Sequence, residues 1–108
     1  MPLYMTQFSY TKEAWAALAK NPEDRSVGLK KLAEAAGGRL ISLYYCMGEY
    51  DGVAIYEAPD NATAMTVVLA VTAPGHLKGT KTTVLYTVEQ GMEAMAKAGK
   101  LAYAGPKE

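Results

Sequence analysis

In 108 residues this chain sets out strand, helix, strand, strand, helix, strand and a final helix, an order that few folds accommodate. Residues 2–10 hold Leu3, Tyr4, Met5, Thr6, Phe8 and Tyr10, and this concentration of β-formers predicts the first strand. Thr11 is placed to cap a short helix with Trp15, Leu18 and Ala19 on one face. Asn21-Pro22-Glu23-Asp24 ends that helix and starts another. Asn is a good cap, Pro suits the first helical position, and the two acids face the positive end of the dipole. The second helix aligns Leu29, Leu32, Ala33 and Ala36 and stops at Gly37-Gly38. Gly28 lies inside it at a cost of roughly 0.5–1 kcal/mol relative to alanine, and no sequence pattern accounts for it.

Residues 39–47 and 52–58 read as two strands joined through Gly48-Glu49-Tyr50-Asp51-Gly52, where Asp51-Gly52 signals a hairpin turn because both residue types tolerate positive φ. Asp60 can cap a helix with Met65, Val68, Leu69 and Thr72 on one face, closed by Pro74-Gly75. Residues 78–87 predict a fourth strand. Thr87-Val88-Glu89-Gln90 then has the form of a capping box and opens a helix to about Ala98, with Met92, Met95 and Ala96 aligned. The expected class is α+β: a ferredoxin-like β-α-β-β-α-β antiparallel sheet with its main helices on one face and an extra C-terminal helix. One domain is expected over residues 1–108, with its core in 2–90 and the C-terminal helix and tail in 88–108.

Composition narrows the function classes. Half the residues are hydrophobic and a fifth charged, as in a folded globular protein. Eleven basic and eleven acidic residues cancel and the cations are scattered, so nothing predicts a nucleic-acid stripe or an anionic-membrane surface. The longest apolar run, residues 65–73, contains two threonines and is far short of the ~20 residues of a membrane helix. The start lacks a signal-peptide pattern and the one cysteine, Cys46, has no internal partner, which together predict a cytoplasmic protein.

Strand alternation divides the sheet into two faces. Leu3, Met5, Ile41, Leu43, Tyr45, Met47, Val53 and Ile55 form an aliphatic set expected under the helices. Tyr4, Thr6, Phe8, Leu40, Ser42, Tyr44, Cys46, Ala54 and Tyr56 form an aromatic and hydroxyl-bearing set expected on the open face, where Tyr86 could join them. Four exposed aromatic rings match or exceed the largest apolar patch a monomer usually displays, so a second copy, a ligand or both are expected to cover them.

The run Tyr44-Tyr45-Cys46-Met47-Gly48-Glu49-Tyr50-Asp51-Gly52-Val53-Ala54, followed by Glu57-Ala58-Pro59-Asp60, resembles the signature of the GYD domain family. Tyr10-Thr11, Asn21-Pro22-Glu23-Asp24-Arg25 and Gly37-Gly38 are similar to that family's pattern too, so the resemblance spans residues 2–90. It implies the dimeric α+β barrel superfamily, in which the sheet pairs with that of a second copy. That superfamily also holds cofactor-independent monooxygenases, muconolactone isomerases and haem proteins.

The functional expectation is therefore a homodimer or higher homo-oligomer assembled through the sheet face, binding a small apolar or aromatic molecule there. The binding candidates are Tyr4, Phe8, Tyr44, Tyr56 and Arg25. The alternative is a cofactor-independent enzyme, monooxygenase- or isomerase-like, with a cavity between sheet and helices and Asp51, His76, Tyr44 or Tyr56 as its working groups. His76 reads most simply as an exposed loop residue, Asp51 as a residue shaping the hairpin, and Cys46 as a buried or interface thiol. One His, one Cys and dispersed carboxylates predict no metal site, and the absence of a Gly-rich phosphate loop or dinucleotide fingerprint predicts no cofactor.

Overall fold

A computed structural model describes residues 1–107. Its elements run β1 (Leu3–Tyr10), α1 (Lys12–Lys20), α2 (Ser26–Ala35), β2 (Arg39–Tyr45), β3 (Gly52–Glu57), α3 (Asn61–Thr72), β4 (Leu77–Leu85) and α4 (Val88–Ala98). The strands form one antiparallel sheet in the order β2-β3-β1-β4. The α+β class and the antiparallel sheet stand; the barrel does not. β2 and β4 are free edges, each paired on one side only, and the sheet stays open.

The helix signals act where capping chemistry is local. Thr11 accepts from the Ala14 amide, and Asp60 accepts from the Thr63 amide and hydroxyl at 2.8 and 2.7 Å. Thr87 and Gln90 close a complete capping box at 2.8 and 3.0 Å. Gly37 ends α2 with φ +85°, a conformation that side chains with a Cβ resist. The start of α2 is later than expected. Asp24 Oδ1 accepts from the Ser26 amide and hydroxyl, which holds residues 21–25 outside the helix.

In β1 and β3 the two faces of the sheet are the reverse of the sequence reading, whereas in β2 Leu43 and Tyr45 lie on the helix side and Tyr44 on the open side as expected. Tyr4, Thr6, Phe8, Tyr10, Ala54 and Tyr56 are buried beneath the helices. Leu3, Met5, Val53, Ile55 and Leu85, on the opposite parity, are only half-buried. The helices supply Ala14, Ala33, Ala64 and Val67 to the core. Small residues on that layer leave room that large side chains from the sheet enter. The phenol groups can go inside because each finds a partner: Tyr4 donates to Asn61 Oδ1 at 2.7 Å, and the Tyr56 hydroxyl shares a 2.8 Å bond with Thr6, which in turn meets Thr82 at 2.9 Å.

Two expected helix faces also turn. α1 buries Ala14 and leaves Trp15 at its margin, while α3 buries Ala64 and Val67 and exposes Met65 and Leu69. In β2 the register slips between Leu40 and Ser42, leaving Ile41 unpaired. This bulge puts Leu40 and Leu43 on the helix side and reverses the parity that follows. Tyr44, opposite Val53, is therefore 62% exposed on the open face, away from Tyr4, Phe8 and Tyr56. α4 buries none of its residues, and the radius of gyration, 17.7 Å, is well above the ~13 Å of a compact chain this long.

Candidate functional site

Between the aromatic side of the sheet and the helices lies a cavity of about 430 Å³, within the size range of small-molecule sites. Phe8, Tyr10, Ala54, Tyr56 and Thr6 contribute its sheet side, and Leu18, Leu29, Leu32, Val67 and Val71 its helix side. Glu23, Arg25 and His76 line it as well and are exposed, which places the opening toward them. The interior is chiefly apolar with few polar groups, the chemistry that suits an apolar or aromatic guest.

Of the residues expected to bind, the cavity gathers Phe8, Tyr56 and Arg25. Tyr4 is not in it: its ring stacks on Tyr56 with centroids 5.7 Å apart and is sealed in the core, where burial pushes its phenol pKa up, reinforced by the Asp60 carboxylate. Tyr44 is excluded by the β2 bulge. His76 lines the rim; its carbonyl accepts from the Thr11 amide at 2.9 Å, while its ring has no hydrogen-bond partner among the described residues.

Asp51 stands outside the cavity. Its Oδ2 accepts from the Tyr10 amide at 2.9 Å and from Trp15 Nε1 at 3.0 Å, while its backbone exchanges hydrogen bonds with Phe8 and Cys46. It braces the hairpin against β1 and α1. Neither Asp51 nor Gly52 has positive φ, so the turn is not the tight type that Asp-Gly suggested. Gly52 is needed for a different reason: a Cβ there would collide with the Phe8 ring. Cys46 is exposed, so of the buried or interface thiol expected there the buried alternative does not hold.

Beside the cavity, Tyr10, Trp15 and Tyr45 form a surface aromatic cluster that the sequence reading missed. Tyr10 meets Trp15 edge-on at 5.0 Å, and Tyr45 lies 6.3 Å from Tyr10 and 6.0 Å from Trp15. Trp15 and Tyr45 are 40% and 50% exposed. Burial, with the neighbouring Tyr45 hydroxyl 3.3 Å away, raises the Tyr10 pKa. Tyr45 lies on the helix side, where strand alternation places it, but alternation gives no sign that it meets Tyr10 and Trp15, which stand on distant segments. Among the described residues no three His, Cys, Asp or Glu side chains gather as a metal site, and no helix is long and apolar enough to cross a membrane.

An open antiparallel sheet with helices over one face, a cavity between the layers and an aromatic cluster at its margin define a small α+β module. The GYD domain profile matches residues 4–95, so the chain belongs to the GYD domain family. It is similar to the glutamine synthetase and cystathionine beta-lyase binding protein of Thermus thermophilus, with 31% identity over 78 residues covering 72% of this chain and 82% of the relative. Solved structures share the fold at low identity. The crystal structure of MtbAldR matches at 12% identity with a TM-score of 0.53 over 80% of this chain, which spans 52% of MtbAldR. That of FFRP-DM1 matches at 14% identity with a TM-score of 0.50 over 80% of this chain and all of its own.

Proposed function

We propose that this GYD domain binds a small apolar or aromatic molecule in the cavity between sheet and helices, with Phe8 and Tyr56 as its sheet-side contacts. The cavity itself carries the reading: about 430 Å³ lined mainly by aromatic and aliphatic side chains. The Tyr56 hydroxyl is already held by Thr6, and the His76 ring lacks an orienting carboxylate, which favours recognition over acid–base chemistry. Titration with 1-naphthalenemethanol, followed by amide NMR, should first shift the signals of residues 28–32 and 67–71. Shifts confined to residues of the uncovered sheet face would sink the reading.

A second reading concerns that uncovered face. Leu3, Met5, Val53, Ile55 and Leu85 form a half-buried aliphatic surface on the side of the sheet away from the buried tyrosines, and Tyr44 extends it. We propose that copies of the chain associate through it, as a homodimer or higher homo-oligomer, because apolar area of this kind gains from leaving water. That the Thermus relative is described as a binding protein for two enzymes adds support for a protein-facing surface. Light scattering should give a mass that rises with concentration above the monomer's 11.6 kDa; a constant monomer mass would exclude this reading.

A further inference from the structure

Among the described residues Arg25 is the only Lys or Arg whose side chain lines the cavity. It sits at the N-cap position of α2 but makes no side-chain capping bond there. Only its Nη1 is engaged, donating to Glu23 Oε1 at 2.7 Å in a pair whose side chains are 48% and 58% exposed. A guanidinium carries five donors in a planar fork matched to a carboxylate. Nε and Nη2 have no acceptor among the described residues, and exposed ion pairs such as that with Glu23 are weakly held. Glu23 itself shows the position a carboxylate takes at this guanidinium.

Gly28 completes the arrangement. A Cβ at that position would meet Arg25 Nη2 at 4.0 Å, so the guanidinium lies over the bare turn of α2. A larger side chain at position 28 would project into the space that Gly28 and Arg25 both line. The glycine that weakens the helix keeps this part of the cavity clear.

We infer that the ligand is an aromatic or aliphatic carboxylate whose body lies against Phe8, Tyr56 and Val67 and whose carboxylate takes the free donors of Arg25. This rests on the cavity-binding reading and adds the charged group that the ligand must carry. Arg25 is on this account the residue that selects acids over neutral molecules of the same shape.

Calorimetric titration of the full chain with 1-naphthoate and with the neutral 1-naphthalenemethanol separates the two claims. Wild type should bind the acid about tenfold or more tightly than the alcohol, the gain of a charge-assisted pair. Arg25→Gln should erase that ratio by weakening the acid far more than the alcohol. Glu23→Gln, which removes the competing carboxylate, should tighten the acid alone. Gly28→Leu should weaken both probes with an unchanged circular dichroism spectrum. Equal affinities in wild type, or a ratio that survives Arg25→Gln, would overturn the carboxylate inference and leave the cavity reading standing. Failure of both probes to bind would overturn the two together.

Discussion

Asp51 and Trp15 are joined across 36 positions of sequence by a 3.0 Å hydrogen bond from the indole Nε1 to Oδ2, and the same oxygen receives the Tyr10 amide. A loop carboxylate thereby fixes the first turn of α1 and the end of β1 together, which sets the wall of the aromatic cluster. Asn at position 51 keeps one oxygen able to accept both bonds, so Asp51→Asn should cost little stability. Asp51→Ala strands the Tyr10 amide and should cost about 1–3 kcal/mol in urea unfolding, with a change in Trp15 fluorescence. Equal losses for Asn and Ala would mean that the charge, rather than the acceptor, matters.

Gly52→Ala should be among the more damaging small substitutions. The added Cβ runs into the Phe8 ring, and that ring is buried and lines the cavity. Overpacking of this kind costs about 1–3 kcal/mol. Chemical denaturation measures the loss. Weakened binding of 1-naphthalenemethanol should accompany it, because a displaced Phe8 intrudes on the ligand's space.

Acid should unfold the protein partly through its helix cap. Folding holds the Asp60 carboxyl below the ordinary value because the Thr63 hydroxyl and amide donate to it, and Asp24 and Glu57 are lowered similarly by Ser26 and Arg39. The stability these groups contribute is complete above the unfolded carboxylate values, about pH 4. It is lost as pH falls through the lower folded values, when the protonated groups no longer accept as strongly. Asp60→Asn retains a good capping residue without the titration. Its melting temperature should therefore fall less steeply below pH 4 than that of wild type; an identical slope would assign the acid sensitivity elsewhere.

Tyr56→Phe should lower stability by about 0.5–1.5 kcal/mol, the range of a single neutral hydrogen bond. Thr6 retains Thr82 at 2.9 Å after the phenol is gone, so no buried hydroxyl is left alone. Thermal unfolding reads the cost, and affinity for 1-naphthalenemethanol should change little. A loss of several kcal/mol would show that the Thr6–Tyr56 pair does more than seat the ring.

The order of elements, the antiparallel α+β class, the caps at Thr11, Asp60 and Thr87, and the Gly37 stop are legible in the chain's residues, because each depends on positions close together in sequence. The hairpin and strand motifs near residues 44–60 also sufficed to place the chain beside its family. Tertiary structure decided which face of the sheet is covered. Alternation separates two faces but does not label them, and here alanine-rich helices drew the tyrosines inward once Asn61 and Thr6 satisfied their hydroxyls. It also parted Tyr44 from Tyr4, Phe8 and Tyr56, with which alternation groups it, since the bulge at Ile41 exchanges sides without a glycine or proline to announce it. The placement of Arg25 over Gly28 was equally out of reach of pattern reading. Its meaning depends on the sheet and α3 closing the space opposite, and that is a property of packing between distant segments rather than of neighbouring residues.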